Sequence, residues 1–208
     1  MASIYRADFS AVSDGDLVGK TIDGLTWQLD SGSPGSTITG GVLTARDQAF
    51  VEIPGTRFNA GATQIEIVLQ VDLSAWRGLD MTLFHQPNDS YWCGLVANTF
   101  YGDNSFTPYY PPDHQGGSTV SYDGYLNGGP VELRVTTDLT TSETVIRVNG
   151  ITVVISSAGE PFDPTTYTHR LRMSPEYDPQ ITLIEVLDDT GVVTPPFWTG
   201  FKGTYEVR

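Results

Sequence analysis

Few side chains in this 208-residue sequence are of a type that does chemistry: three histidines (His85, His114, His169), one cysteine (Cys93) and 25 acidic residues. Hydrolysis by a nucleophile needs a serine or cysteine next to a histidine that an acid orients. The sequence has no Gly-x-Ser-x-Gly elbow, and Cys93 follows Tyr91 and Trp92 in an apolar run that favours a buried, inert thiol. Three scattered histidines and one cysteine give no zinc spacing. Two carboxylates cleave a glycosidic bond when held about 5 or about 6.5–9.5 Å apart. Among 25 acids some lie close by chance, so the expectation is a solvated acidic surface and no catalytic residue.

Two other sets of residues could bind something. Asp14-Gly15-Asp16, with Asp8 or Asp23 close in sequence, gathers oxygens in a turn. Calcium takes about 6–8 oxygens, partly from carbonyls, so Asp14 and Asp16 are the candidate metal ligands. There is no twelve-residue calcium loop, a plain Asp-Gly turn accounts for the same residues, and no other cofactor is expected. The second set is aromatic. Between Asn98 and Gly117 the chain carries Tyr101, Asp103, Asn104, Tyr109, Tyr110, Asp113, His114 and Gln115. Flat rings cover the C–H faces of sugars, and amides or carboxylates bind their hydroxyls. Protein interfaces favour the same residues. A loop packed across its own sheet would use them too, and all three uses stay open. Trp198 and Phe201, beside Pro195-Pro196, mark a tail that docks on a neighbour or folds back.

The elements that must position these groups are strands. Ile65, Ile67, Leu69, Val71 and Leu73 alternate with Glu66, Gln70 and Asp72, and only Val68 breaks the polar face. Val131, Leu133 and Val135 alternate with Glu132, Arg134 and Thr136. Thr144 to Val148 and Ile151 to Ile155 flank Asn149-Gly150, a pair suited to a tight type I′ hairpin. Another β-rich run spans Ile181 to Leu187, with weaker strands at Leu25–Asp30, Gly41–Ala45, Ala49–Ile53, Met81–His85, Tyr91–Ala97, Thr119–Tyr122, His169–Met173 and Thr204–Val207. Ser74 to Arg77 is expected to form a single turn, and Asn98 to Gly117 a long irregular loop. With 22 Gly and 13 Pro, helices would be interrupted throughout. The fold class is therefore all-β, a two-sheet antiparallel β-sandwich.

Charge narrows the partners. Eleven basic against 25 acidic residues leave a formal charge of −14, which argues against nucleic acid. No apolar run approaches the ~20 residues a membrane helix needs. No basic stretch leads into an apolar one at the N-terminus, so the expectation is synthesis in a host cytoplasm without a signal peptide. The lone cysteine allows no disulfide within the chain.

The order of features resembles a known family. Asp8-Phe9, then Asp23-Gly24-Leu25-Thr26-Trp27, then Ile38-Thr39-Gly40-Gly41-Val42-Leu43 is similar to the opening of laminin-G-like domains of the concanavalin A-like lectin/glucanase superfamily. Val131 to Val135 followed by Val145 to Asn149-Gly150 resembles that family's central hairpin, and Leu183-Ile184-Glu185-Val186 its closing strand. The resemblance implies a jelly roll over residues 1–190, with 191–208 a C-terminal extension packing on the domain or on a neighbouring subunit. It carries over no catalytic strand: the glucanase Glu-x-Asp-x-x-Glu is absent, and so is the legume-lectin metal strand. The expected function is that of a non-catalytic virion structural protein, a phage capsid decoration, tail or fibre component. Its partners would be other virion proteins, further copies of itself and a cell-surface glycan. A lectin-like adhesion module is the alternative, and a glycoside hydrolase of the same fold the third.

Overall fold

The computed structural model describes residues 1–73, 78–85, 90–98, 105–110, 114–115, 120–121, 130–156, 161, 163–166 and 168–189, with backbone alone for 84–85, 90–92, 96, 98, 105, 108–110, 114–115 and 120–121. These residues hold strands β1 (Ala2–Asp8), β2 (Gly15–Asp16), β3 (Thr21–Ile22), β4 (Leu25–Thr26), β5 (Gln28–Ser31), β6 (Thr37–Thr39), β7 (Val42–Thr44), β8 (Gln48–Ile53), β9 (Gln64–Asp72) and β10 (Gly78–His85). They continue with β11 (Ser90–Asn98), β12 (Ser105–Tyr110), β13 (His114–Gln115), β14 (Val120–Ser121), β15 (Val131–Asp138), β16 (Thr144–Val148), β17 (Ile151–Ile155), β18 (His169–Glu176) and β19 (Gln180–Asp188). Among the described residues there is no α-helix, only short 3₁₀ turns such as Phe9–Ala11 and Gly55–Arg57.

Two antiparallel sheets stack. The first runs β17-β16-β15-β9-β19-β7-β6-β2, with β1 also on β19; the second runs β13-β12-β11-β10-β18-β8-β5, with β14 on β12. Alternation decides which side chains meet between them. Leu69 on β9 lies opposite Leu133 on β15 and Ile184 on β19, and all three are fully buried. From the second sheet Val51, Leu171, Met81, Leu83, Cys93 and Leu95 join the same cluster. Trp27, on entry to β5, donates its indole N–H to the Tyr5 hydroxyl on β1 at 2.8 Å, both rings fully buried. Burial pushes the Tyr5 hydroxyl far above its ordinary pKa, so it stays a neutral partner.

Turn chemistry closes the hairpins. Asn149 and Gly150 take φ of +49° and +80°, and the Gly40-Gly41 pair between β6 and β7 takes +57° and +83°, the left-handed region that Asn and Gly tolerate. Two acids brace the closing strand against the 59–63 loop. Asp188, buried, accepts the Asn59 N–H at 2.8 Å, and Asp189 accepts the Thr63 N–H at 2.9 Å. Asp47 is buried as well and accepts the Gly35 N–H and the Ser36 hydroxyl.

The supposed loop 98–117 is partly strand. Ser105–Tyr110 pairs with β11, and β13 returns on it with Tyr109 opposite Gln115 and Tyr110 opposite His114. Ser74 to Arg77, Thr204–Val207 and the 191–208 extension lie outside the described residues. No helix among the described residues is long and apolar enough to cross a membrane.

Candidate functional site

In the second sheet β8, β10, β11 and β18 turn one face to the core; on the other side Phe50, Thr82 and Gly94 are buried too, and Glu52, Arg170 and Arg172 are half-buried. Cross-strand register lines up Gln28, Phe50, Arg172, Thr82 and Gly94, each opposite the next, and sets the backbone of Tyr109 opposite Gly94. Phe50, Glu52, Arg170 and Arg172 stand on this face because their neighbours Val51, Leu171 and Met173 point into the core.

The row is built from planar groups held by one another. Arg172 pairs with Asp30 at 2.8 Å and donates to the Gln48 amide oxygen at 2.8 Å, which also accepts the Ser31 hydroxyl at 2.6 Å. Beside it, the Arg170 guanidinium lies 4.4 Å over the Phe50 ring and pairs with Glu52 at 3.3 Å. Farther along comes Gly94. A Cβ there would come 2.5 Å from the Met81 carbonyl oxygen and 2.8 Å from Thr82 Cα, so only glycine fits. Tyr109 sits opposite this bare position. Chemically, this face offers Arg170 and Arg172 with Asp30, Gln48 and Glu52 as polar groups held by one another, while Phe50, Thr82 and Gly94 are buried.

The sequence-derived residues fall as follows. Tyr109, Tyr110 and His114 come together on the β12–β13 hairpin at the end of this sheet. Tyr101, Asp103, Asn104, Asp113, Trp198 and Phe201 lie outside the described residues. Asp14 and Asp16 are exposed. Asp14 accepts the Gly40 N–H at 3.0 Å, and the Lys20 ammonium donates to Ser13 O, Ser13 Oγ and Asp14 O at 2.7, 2.9 and 3.0 Å. A protein cation thus sits on the oxygens of this turn. Asp8 caps the Phe9–Ala11 turn and Asp23 binds Arg57, so both are engaged elsewhere. Among the described residues no three acidic, histidine or cysteine side chains converge to hold a metal. Phe50, Asp30, Gln48, Arg170 and Arg172 went unnoticed in the sequence. One signal for them was present: arginines two apart in a strand share a face.

Where described carboxyls depart clearly from the ordinary range, they move down. Asp8 is lowered by hydrogen bonds from Ser10 and Arg6, Glu132 by Arg134, and Asp163 by the N–H and hydroxyl of Thr165. At Asp138 burial pushes up, but the Thr140 hydroxyl and the N–H groups of Thr140 and Thr141 outweigh it. A carboxyl lowered in the folded state stabilises it above the unfolded pKa, and that contribution vanishes as pH falls through the folded pKa. Asp138→Asn is therefore expected to cost about 0.5–1.5 kcal/mol at pH 7. Urea titrations should show the gap to wild type narrowing from pH 6 to pH 3; a gap that widens on acidification would contradict the direction of the shift.

No protein-family model matches the sequence, and no curated protein does. Solved structures match the fold. The potassium-bound carbohydrate recognition domain of Emp46p has a TM-score of 0.61 at 10% identity, covering 91% of this chain and 98% of that one. The CBM2 module of the evolved Dit of Lactobacillus casei BL23 phage J-1 gives 0.58 at 10%, covering 88% and 94%. β-Agarase A in complex with oligoagarose gives 0.59 at 7%, covering 88% and 90%. Likeness at such low identity shows the fold: the chain is a concanavalin A-like jelly roll, as its sequence pattern led one to expect.

Proposed function

We propose that this jelly roll is a non-catalytic carbohydrate-binding module that takes a neutral glycan on the outer face of its second sheet. The observation that carries this is the planar polar cluster there, Arg172 with Asp30 and Gln48 next to Arg170 on Phe50, on the sheet whose register sets Tyr109 opposite Gly94. Saccharide sites combine a few fixed polar groups with flat apolar surface. The names of two fold neighbours, a carbohydrate recognition domain and a carbohydrate-binding module, support the same class. Neutrality follows from the cations. Arg6, Arg46, Arg57, Arg134, Arg170 and Arg172 are each ion-paired to a carboxylate, in a chain of charge −14. An anionic polymer would have to break such pairs and meet repulsion.

Binding without turnover is supported by the missing glucanase carboxylate strand. The agarase neighbour keeps hydrolysis as the competing outcome. The phage Dit module supports, by fold alone, a virion surface as the setting. There the partners would be other virion proteins and further copies of this chain.

A glycan array with wild type, Arg172→Ala and Tyr109→Ala tests the assignment. Wild type should retain neutral glycans, and each substitution should weaken them about tenfold or more, the worth of one hydrogen bond or ring contact. Equal binding by all three would remove this face from the role. Release of reducing ends from a bound polysaccharide, abolished by one Asp or Glu substitution, would overturn the non-catalytic part.

A further inference from the structure

The first sheet forks, and the fork opens a groove on its own outer face. β19 gives one side to β9 and divides the other end to end, between β7 at Gln180 and Ile181 and β1 from Leu183 to Asp188. At the junction the β9–β19 register slips between Ile181 and Leu183, leaving Thr182 as the extra residue. Bulges of this kind re-aim a side chain. Thr182 Oγ1 lies 3.5 Å from Gln70 Oε1, and both residues line a pocket of about 400 Å³ with Arg6, Asp8, Gly41 and Val42. Arg6 and Asp8 also line an adjoining open cleft of about 760 Å³ that reaches Lys20 and Asp23 at the β3–β4 hairpin.

The chemistry at the waist is specific. Arg6 Nη1 pairs with Glu185 at 2.9 Å and Nη2 with Asp8 at 3.2 Å, which fixes the guanidinium while its side chain stays 47% exposed. Asp8 Oδ1 is held in turn by the Ser10 N–H and hydroxyl at 3.2 and 2.6 Å. A rigid N–H donor and a rigid carboxylate acceptor therefore stand side by side. Vicinal hydroxyls, each both donor and acceptor, match that pair. Val42 and Leu183 supply apolar floor, and the Gly40-Gly41 turn presents bare backbone. The charges on the walls balance: Arg6 and Lys20 against Asp8 and Asp23, on a molecule of net −14.

We propose that this groove is a second binding site, on the opposite sheet, for a neutral polyhydroxylated ligand: one saccharide unit in the 400 Å³ pocket and a chain extending along the cleft. It shares the ligand class of the function proposed above but not its site. The test is a printed array of neutral and anionic glycans probed with full-length wild type, Arg6→Gln, Thr182→Val and Arg172→Ala, each checked by thermal melting. Thr182→Val keeps the side chain's shape, so it reports binding even where Arg6→Gln disturbs β1. The expected result is two sets of neutral glycans, one weakened about tenfold by Thr182→Val and Arg6→Gln and another weakened by Arg172→Ala; one set weakened alike by all three variants would overturn the groove as a separate site. Loss only in Arg172→Ala would overturn the groove and leave the other face standing. Loss only in the groove variants would do the reverse. No neutral glycan bound by wild type would overturn both.

Discussion

Leu69→Ala should unfold at a urea midpoint or temperature well below wild type, with a loss of about 2–5 kcal/mol. Leu69 has no solvent exposure and stands between Leu133 and Ile184 on the two strands flanking β9, so all three side chains share one layer of the core. Truncation removes apolar contact and leaves a hole that neighbours held on both sides by backbone pairing close poorly. For a chain of this size each kcal/mol lowers the melting temperature by roughly 2–4 °C. The control is next door: Gln70, on the other face, is exposed, and Gln70→Ala should stay within about 0.5 kcal/mol. A small effect at Leu69, or equal effects at both, would mean the wrong face of β9 has been turned inward.

Thiol reagents at pH 8 should leave Cys93 unmodified in the native protein for as long as the fold stays closed. The side chain has no exposure, and Sγ packs 3.9 Å from the Val135 carbonyl oxygen of the facing sheet. Burial pushes the thiol up to about 12, against a smaller downward pull from a hydrogen bond with Thr137. An ordinary cysteine near 8.5 is about one quarter thiolate at pH 8, so ionisation alone slows Cys93 by about 10³-fold. Reaction must then pass through opening, and its rate reports how often the two sheets part. Leu69→Ala should raise that rate about 30- to 5,000-fold if opening is global, because every 1.4 kcal/mol is a factor of ten. Native labelling within tenfold of the urea-unfolded rate would contradict the placement of Cys93 between the sheets.

What could be seen in the sequence was whatever depends on neighbours along the chain. The strands β9 and β15 and the Asn149-Gly150 turn follow from local patterns, and the structure has them where expected, with burial alternating along β15. β12 escaped because Pro108 lies inside it and Pro111-Pro112 follow, and proline argues against a strand unless it sits at an edge. Glu66 and Val68 face outward by alternation yet are buried. Arg134 pairs with Glu66 at 2.6 Å and lies opposite Val68, so a long side chain covers what the pattern would expose. The candidate site was harder still. Phe50, Arg172, Thr82, Gly94 and Tyr109 become one row only through the strand order β8-β18-β10-β11-β12, which no local pattern encodes. The groove at Arg6 depends on β19 having two partners on one side, again a fact of topology.

The pairing of β1 with β19 sets Ala2 opposite Asp188. β1 therefore lacks its described strand partner until β19 has been synthesised, and the indole–hydroxyl bond between Trp27 and Tyr5 joins residues whose strand still lacks that neighbour. Contacts this distant along the chain delay folding because a long loop must close before they yield any stabilisation. On the ribosome, Ile4, Tyr5 and Ala7 would wait as an unpaired apolar segment until β19 emerges, and that interval leaves the nascent chain open to misassociation.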